Sequence, residues 1–255
     1  MRVREMYSVE GKVAIVTGAA RGLGEGYARG LAEAGAVVIC AGHHMEGVEK
    51  TAESIKKAGG KAEAWFIDVS NAAAVNEAFQ KIATKYGHVD ILINNAGVED
   101  VAPFLNVTEA QYDKIMGVNL KGTFFASQAA ARIMKKQRSG KIVNIGSLGS
   151  AIGLAESSVY CGTKTGVMGI TRTMAIELAR DNIQVNAIGP GYFRTQMTEP
   201  FFQDPVHKKW IEDRIPEGRI GTAEDLLGTV IFLCSSASDY VTGQMIYVDG
   251  GWLAS

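Results

Sequence analysis

Short continuous apolar runs alternate along the chain with longer segments whose apolar residues recur at helical spacing. These patterns predict seven strands, at 12–18, 36–41, 62–68, 89–94, 140–146, 183–189 and 244–249. They also predict helices over 23–34, 46–58, 71–86, 108–137, 157–180 and 222–233. Runs that are apolar throughout are typical of parallel strands buried on both faces, with right-handed helical crossovers. The sequence therefore predicts an α/β fold, a doubly wound parallel sheet of seven strands with helices on both faces.

One long stretch, 190–217, lacks a clear period. It contains Pro190, Pro200, Pro205 and Pro216. A loop of that length inside a compact domain usually has a functional role. The rest of the chain shows no linker, repeat or low-complexity tract, so we expect a single domain over 1–255 with a substrate lid at about 190–217.

The charge balance and the cysteine usage narrow the class of protein. The 255 residues include 26 basic and 27 acidic side chains, and a net charge of −1 argues against nucleic acid or an anionic membrane as the main partner. No leader segment or bilayer-spanning run is visible. Three widely spaced cysteines fit a reducing compartment, so we expect a cytoplasmic protein that acts on a small molecule. Histidines and cysteines lack metal-ligand spacing, and no metal is expected.

The first predicted strand ends in the turn TGAARGLG, residues 17–24. Its glycines are spaced GxxxGxG, unlike the better-known GxGxxG pattern. Glycines let the backbone approach a pyrophosphate, and the following helix N-terminus supplies amides and the positive end of its dipole. A tight turn that binds nothing has the same local pattern, but this position in an α/β chain favours a dinucleotide site in a Rossmann-like fold. The candidate residues are Gly18, Arg21, Gly22, Leu23 and Gly24.

The end of the second strand bears on the choice of cofactor. NAD-binding sites usually carry an acidic residue about 20 residues after the glycine turn, where it binds the ribose hydroxyls. Here position 41 opens the run AGHH, with no carboxylate. Arg21 could pair with a 2′-phosphate and His43 could assist, although two solvated loop histidines would look the same. The sequence favours NADP(H), with NAD(H) as the alternative.

Two further strand ends carry candidate cofactor contacts, because ligands of open α/β sheets bind at the carboxyl ends of the strands. Asp68, followed by Val69, could accept from an adenine amino group or cap the next helix. The run NNAG (94–97) brings small residues close to the nucleotide, and its asparagines can brace neighbouring strands. The candidates there are Asn95, Ala96 and Gly97.

Tyr160 and Lys164 lie four residues apart in a predicted helix and therefore share a face. Ser147 closes the fifth strand and can face that helix. A tyrosine with a pKa of about 10 is a poor base, and bringing the pKa to about 7 needs roughly 4 kcal/mol. One cation about 4 Å away supplies about that much at an effective dielectric of about 20. We therefore expect Tyr160 to exchange the substrate proton, Lys164 to lower its pKa, and Ser147 to hydrogen-bond the substrate oxygen.

With these motifs in family order, the chain resembles the short-chain dehydrogenases/reductases. The likeness rests on TGAARGLG, NNAG, Asn119 in GVNLKG, Ser147 with YCGTK (160–164), Pro190-Gly191 before Thr195, and VDGG (248–251). It implies a catalytic tetrad of Asn119, Ser147, Tyr160 and Lys164, with Asn119 bending its helix and holding a water linked to Lys164. Tyr160, Lys164, Pro190, Gly191 and Thr195 would also contact the cofactor. The family commonly forms homotetramers through the two long helices, here about 108–137 and 157–180, and the C-terminal segment.

The resemblance also suggests a reaction: hydride transfer between a nicotinamide and a secondary alcohol or ketone. The late stretch from Gly218 to Leu253 is similar to gluconate 5-dehydrogenases and 2-dehydro-3-deoxy-gluconate 5-dehydrogenases. Basic and aromatic residues of the lid could clamp the carboxylate of a sugar acid, or they could be solvated lysines beside core aromatics. The apolar run Gly153-Leu154-Ala155 suits the alternative, a reductase or alcohol dehydrogenase for neutral polyols or small hydrophobic ketones. A non-catalytic nucleotide-binding protein is a remote alternative, because such a protein would be expected to lose parts of the tetrad, which is intact here. A sugar-nucleotide epimerase usually needs a larger C-terminal substrate domain, and 255 residues leave little room for one.

Overall fold

The computed structural model describes residues 3–255, so Met1 and Arg2 of the expected domain lie outside the described residues. Its seven strands are all parallel and form one sheet in the order β3-β2-β1-β4-β5-β6-β7. The predicted fold class is therefore confirmed. The strands are β1 (Val13–Thr17), β2 (Val37–Gly42), β3 (Lys61–Phe66), β4 (Ile91–Asn94), β5 (Gly140–Ile145), β6 (Ile183–Pro190) and β7 (Met245–Val248).

Helices cover both faces of the sheet and follow the predicted segments closely. A short N-terminal helix, which the apolar pattern did not predict, precedes them. In chain order they are α1 (Val3–Met6), α2 (Gly22–Glu33), α3 (Met45–Lys57), α4 (Ala72–Tyr86), α5 (Glu109–Ile115), α6 (Thr123–Gln137), α7 (Ser158–Leu178), α8 (Glu199–Gln203), α9 (Pro205–Arg214) and α10 (Ala223–Cys234). Among residues 3–255, no helix combines the length and apolarity that a bilayer span needs.

The predicted helix over 108–137 is interrupted. A π-helical segment, Met116–Gly122, separates α5 from α6. Such segments are frequent at functional sites. Gly122 fits tightly there, since a Cβ on it would lie 2.9 Å from a methyl group of Val69. The segment contains Asn119, so the expected distortion of this helix at Asn119 takes the form of a widened turn.

The stretch 190–217 is not a loop throughout. It contains α8 and α9, and each has a proline in its first turn, where the missing N–H costs no hydrogen bond. Buried Phe202, Ile211 and Ile215 of this stretch pack with Leu148 and Trp252 in a small apolar cluster. The sequence pattern missed these helices because prolines and mixed polarity obscure a period over such short segments.

Candidate active site

The carboxyl ends of β1 and β4 lie side by side at the point where the order of the strands in the sheet reverses. Open α/β sheets bind their ligands at this switch point. The glycine turn follows β1 and the NNAG run follows β4, so the fold brings the two predicted cofactor motifs together. Gly18 and Gly22 have positive φ angles of 67° and 59°. A Cβ on Gly24 would lie 2.3 Å from the Gly18 carbonyl oxygen, so this turn accepts only glycine at position 24.

Asn95 and Thr17 tie the two motifs to each other. The Nδ2 of Asn95 donates to the carbonyl oxygens of Thr17 at 3.0 Å and of Gly18 at 3.3 Å. The Oγ1 of Thr17 accepts from the amides of Asn95 at 3.0 Å and Ala96 at 3.1 Å. Sequence reasoning had not singled out Thr17. The sequence feature that could have identified Thr17 is its position as the last residue of β1, directly before the glycine turn.

The first turn of α2 offers free donors. Its N-cap residue, Arg21, has extended backbone angles and provides no side-chain acceptor for the helix amides. Leu23 packs against the core cluster beneath, which fixes the helix start against the sheet. An uncapped helix N-terminus next to a glycine turn is suited to bind phosphate. The residues present therefore fit the pyrophosphate of a dinucleotide.

At the end of β2, a side chain at position 42, rather than at position 41, would be placed to meet a ribose. Ala41 is fully buried, with its side chain in the core cluster beside Ile15 and Ile39, so a carboxylate there would not reach a ligand. Side chains alternate along a strand, and Gly42, the last residue of β2, has the opposite orientation. The sequence had placed this position one residue too early. Neither position carries an acidic residue that would repel a 2′-phosphate.

Arg21 and the start of the lid meet over the glycine turn. The Nη1 of Arg21 donates to Oε1 of Gln196 at 2.8 Å, and a Cβ on Gly22 would lie 3.5 Å from Cβ of Thr195. The structure thus brings Thr195 to the cofactor end, as the family resemblance implies. Gln196, which the sequence had not singled out, is the lid residue that holds Arg21.

Asp68 and His43, both predicted cofactor contacts, lie just past the ends of the neighbouring strands β3 and β2. The Oδ1 of Asp68 accepts from the amide of Ser70 at 2.9 Å and from its hydroxyl at 2.7 Å. These hydrogen bonds lower the pKa of Asp68, and the nearby His43 contributes in the same direction. Asp68 does not cap α4, since Asn71 does so. His43 is solvent-exposed, and Val69 is buried against the π-helical segment.

The chemical end is built where β5 meets α7. Ser147 lies just past β5, and its hydroxyl is close enough to the Tyr160 phenol to act on the pKa of that group. Its Oγ also accepts from the amide of Gly149 at 3.1 Å. The Nζ of Lys164 lies 5.5 Å from the centre of the Tyr160 ring and donates to the Ile145 carbonyl at 2.7 Å. Ser147, Tyr160 and Lys164 therefore converge at one strand end.

The pKa values of these groups reflect their burial. Burial raises the pKa of the Tyr160 phenol above its ordinary value, and the nearby Ser147 hydroxyl acts in the opposite direction. Burial lowers the pKa of the Lys164 ammonium to about 8, while the charge of Glu99 opposes this shift. We had expected Lys164 to bring the pKa of Tyr160 down. In the protein chain alone this is wrong, because desolvation of the phenol outweighs the other effects.

Asn119 clamps the main chain of Val98. Its Oδ1 accepts from the Val98 amide at 2.8 Å and its Nδ2 donates to the Val98 carbonyl at 2.9 Å. The same Nδ2 lies 3.4 Å from Oγ1 of Thr163. A Cβ on the adjacent Gly97 would lie 3.5 Å from Asn119 Oδ1 and 3.8 Å from Lys164 Nζ. The structure thus brings Asn119 to Lys164, and its water-holding role stays a prediction.

A buried polar network supports the site from below. The Nδ2 of Asn94 donates to Oδ1 of Asn144 and to Oγ of Ser127, both at 2.8 Å. Asn144 in turn donates to Oγ1 of Thr171 at 2.8 Å. These bonds link β4, β5, α6 and α7. The predicted bracing of neighbouring strands by the NNAG asparagines is confirmed for Asn94.

Glu99 stands beside the catalytic groups. Its Oε1 accepts from the hydroxyl of Ser157 at 2.6 Å. Burial raises the pKa of its carboxyl, while the hydrogen bond from Ser157 and the charge of Lys164 act the other way. Its negative charge also acts on the phenols of Tyr160 and Tyr192. Glu99 therefore brings a carboxyl within electrostatic reach of Tyr160 and Lys164.

Most basic residues of the lid are engaged with neighbouring acids. Lys209 pairs with Asp213 at 2.8 Å and Lys208 with Glu212 at 3.4 Å, one helical turn apart. This favours the interpretation of the lid lysines as a solvated face. Arg194 lies 3.9 Å from Glu199. Among the described residues, Arg214 has no acidic partner.

Arg214 is held instead by aromatic rings. Its guanidinium carbon lies 5.1 Å from the centre of the Trp252 ring and 5.7 Å from that of Trp210. Tyr192 packs on Trp252 with ring centres 4.9 Å apart. Burial raises the pKa of the Tyr192 phenol, Glu99 raises it further, and Arg214 lowers it. Tyr192 is therefore within electrostatic reach of a negative group on one side and a positive group on the other.

Pro190 and Gly191 form the floor next to the lid. Pro190 is the buried last residue of β6, and the amide of Gly191 donates to the Val248 carbonyl at 2.9 Å. A Cβ on Gly191 would lie 2.7 Å from Cα of Asp249, so the two chain segments pass each other closely. The structure thus places the Pro-Gly and VDGG motifs against each other at the carboxyl edge of the sheet.

Comparison with known proteins identifies the family. The family model described as Enoyl-(Acyl carrier protein) reductase matches residues 18–253. The 2-dehydro-3-deoxy-D-gluconate 5-dehydrogenase of Escherichia coli (strain K12) is 43% identical over 249 residues, which cover 97% of this chain and 98% of the relative. The 3-oxoacyl-[acyl-carrier-protein] reductase FabG of Thermotoga maritima is 38% identical over 243 residues, covering 95% and 98%.

A solved structure agrees with this assignment. The crystal structure of a gluconate 5-dehydrogenase from Burkholderia cenocepacia J2315, in complex with NADP and tartrate, superimposes with a TM-score of 0.97. It is 36% identical, and the match covers 100% of both chains. The fold, the order of the motifs and the full-length similarity agree, and the chain belongs to the short-chain dehydrogenase/reductase family of oxidoreductases.

Proposed function

We propose that this protein is an NADP(H)-dependent oxidoreductase that interconverts a secondary alcohol and a ketone on a sugar acid such as gluconate or a keto-deoxy-gluconate. The observation that carries the reaction type is the convergence of Ser147, Tyr160 and Lys164 at the end of β5. This end lies next to the cofactor motifs at the switch point of the sheet. Asn119, Ser147, Tyr160 and Lys164 are the proposed catalytic residues.

The proton chemistry follows from the positions of the side chains. When bound, the nicotinamide supplies or accepts the hydride. In the direction of ketone reduction, the Tyr160 phenol donates its proton to the substrate oxygen, and in the direction of oxidation it removes that proton. Ser147 hydrogen-bonds the same oxygen, where charge develops. Lys164, charged below its pKa of about 8, stabilises the phenolate that forms when Tyr160 loses its proton.

The cofactor site supports NADP(H), with NAD(H) as the alternative. The last residue of β2 is Gly42 and not an acid. The Arg21 guanidinium lies beside the glycine turn, where it can pair with a 2′-phosphate. The related gluconate 5-dehydrogenase from Burkholderia cenocepacia was crystallised with NADP. We assign Gly18, Gly22, Gly24 and the α2 amides to the pyrophosphate.

Arg214 supports a substrate with a carboxylate. It lies on the lid with no acidic partner among the described residues, and its guanidinium is stacked on Trp210 and Trp252. A guanidinium held by rings keeps its donors free for a bidentate carboxylate. Tyr192, which both Glu99 and Arg214 influence, connects this position to the catalytic end. The carboxylate would therefore lie at the lid, away from Glu99.

A matched substrate pair tests the proposal. D-gluconate and D-sorbitol differ in having a carboxylate or a hydroxymethyl group at one end. We expect wild-type kcat/KM with NADP⁺ to favour gluconate, and we expect Arg214→Ala to remove about 1.5–3 kcal/mol of this preference, or about 10- to 160-fold. Lys208→Ala is the control, because Lys208 is already paired with Glu212. Turnover confined to sorbitol or to small ketones would instead support the neutral-substrate alternative, for which half-buried Leu154 near the site is the favouring observation.

We propose a homotetramer in the cytoplasm as the working form. The two long helical regions expose apolar side chains, Phe124 on α6 and Ile176 on α7, and Ile176 is 80% exposed in the single chain. All three cysteines are unpaired, which fits a reducing compartment. Light scattering on the purified protein tests the assembly, with Ile176→Glu expected to lower the mass and Val206→Glu, on the lid, expected to leave it unchanged.

A further inference from the structure

Glu99 is fixed at the head of the helix that carries Tyr160. Ser157, which donates to Glu99 Oε1 at 2.6 Å, directly precedes α7 and lies three residues before Tyr160, one helical turn away. On the other side, Glu99 follows Val98, whose amide and carbonyl are both bound by Asn119. Glu99 is therefore anchored through both its side chain and its neighbouring main chain.

The carboxyl of Glu99 has one oxygen uncommitted and acts electrostatically on the reacting groups. Only Oε1 is engaged, by Ser157, and Oε2 has no hydrogen-bond partner among residues 3–255. The charge of Glu99 acts on Lys164, on Tyr160 and on Tyr192. The adjacent Asp100, by contrast, is engaged with Gln111 at 3.2 Å and with Lys114 at 3.3 Å on the surface.

A half-buried acceptor beside a proton-transfer site has a limited set of suitable partners. A substrate carboxylate there would be repelled, and an alkyl group would leave the acceptor without a donor, which costs free energy. A hydroxyl satisfies it. We propose that Glu99 is a specificity-determining residue that accepts a hydrogen bond from a substrate hydroxyl on a carbon next to the reacting carbinol, so that the enzyme selects vicinal diols.

This inference deepens the proposed function, since it places the polyol end of a sugar acid at Glu99 and its carboxylate at the lid. The charges are compatible with this, since Glu99 acts on the catalytic groups Tyr160 and Lys164 whereas Arg214 lies on the lid against Trp252, and both act on the Tyr192 phenol. A site built to hydrogen-bond a hydroxyl strongly rejects analogues that lack it. The selection for a neighbouring hydroxyl does not depend on a carboxylate, so it can be tested separately.

The test compares two substrate pairs with wild type, Glu99→Gln and the matched control Asp100→Asn. One pair is D-gluconate and 4,6-dideoxy-D-gluconate, in which the C5 carbinol has no neighbouring hydroxyl. The other pair is 2,3-butanediol and 2-butanol, which have no carboxylate. For each pair that wild type turns over, we expect kcat/KM to be about 10- to 100-fold higher for the substrate with the neighbouring hydroxyl. Glu99→Gln should reduce that ratio to near one, and Asp100→Asn should leave it unchanged.

Glu99→Gln retains an oxygen that can accept from Ser157, so the fold is expected to survive, and Glu99→Asp should restore part of the diol preference. A purely structural role would lower kcat/KM for both members of a pair equally and leave their ratio intact, and this result would overturn the proposal. So would a wild-type enzyme that uses diol and monoalcohol equally well. Loss of the gluconate preference over sorbitol with the diol preference retained would overturn the sugar-acid proposal and leave the role of Glu99 standing.

Discussion

The ammonium of Lys164 donates a 2.7 Å hydrogen bond to the carbonyl of Ile145, the last residue of β5. Ser147 follows two residues later, so one strand end fixes both the lysine and the serine of the site. The hydroxyl of Ser150 also donates to the main-chain carbonyl of Lys164 at 2.8 Å, which closes the loop after β5 onto α7. The spacing between the side chains of Ser147, Tyr160 and Lys164 thus depends on the sheet as well as on α7.

Lys164 should leave a signature in the pH dependence of stability. Its pKa is about 8 in the folded protein and 10.5 ordinarily, so between these values the folded state binds fewer protons than the unfolded state. The free energy of unfolding therefore rises with pH through this window, by on the order of 3 kcal/mol from this group. Lys164→Met removes the effect.

The measurement is urea unfolding of wild type and Lys164→Met from pH 7.5 to 10.5, at one protein concentration. We expect the difference in unfolding free energy, wild type minus variant, to increase with pH. A difference that stays flat would mean that the folded lysine titrates at its ordinary value. Turnover by the variant should be lost at every pH.

Tyr160→Phe should abolish the proton transfer while keeping the ring in place. General acid–base catalysis typically contributes about 10²- to 10⁴-fold, so we expect a fall of that size in kcat. NADPH affinity, measured by fluorescence titration, should stay close to wild type because all predicted cofactor contacts except the Tyr160 hydroxyl remain. Tyr240→Phe, at a fully exposed position, is the control. A Tyr160→Phe enzyme with substantial turnover would contradict the assigned role.

The cofactor preference should respond to Gly42 and not to Ala41. An Asp at Gly42 would stand at the end of β2 and repel a 2′-phosphate, and its Cβ would lie 3.0 Å from a methyl group of Val48, which must shift slightly. We expect Gly42→Asp to raise the ratio of kcat/KM for NAD⁺ to that for NADP⁺. Ala41→Asp should instead destabilise the protein, since it buries a charge. If Gly42→Asp leaves the ratio unchanged, the 2′ position is read elsewhere, with Arg21→Ala as the next variant.

Two glycine substitutions should have opposite effects on stability. Gly24→Ala places a methyl group 2.3 Å from the Gly18 carbonyl, so the turn must open, and we expect a loss of about 1–3 kcal/mol together with loss of NADPH binding. Gly228→Ala lies on an exposed position of α10 with nothing near the added methyl, and should stabilise by about 0.5–1 kcal/mol. Chemical unfolding and NADPH titration of both variants check this, and a stable, NADPH-binding Gly24→Ala would contradict the assigned cradle.

Much of the fold was predictable because its signals are local. Each of the seven apolar runs became a strand within about two residues of its predicted bounds, a usual margin for such boundaries. The four side chains of the tetrad were identified from short motifs, and the structure brings them together. The π-helical segment around Asn119 was less predictable, because it depends on Gly122 packing against Val69, a residue from another part of the chain.

The sequence by itself determined the strands, the glycine turn and the identities of the reacting side chains, since apolar runs, glycines and a Tyr-x-x-x-Lys spacing act over a few neighbouring residues. The tertiary structure alone decided which side chains are free to meet a ligand. It buried Ala41 and turned Gly42 the other way, paired Lys208 and Lys209 but left Arg214 stacked on tryptophans, and joined Glu99 to Ser157 across 58 residues of chain. Such pairings depend on the direction of each side chain once the sheet and helices have packed.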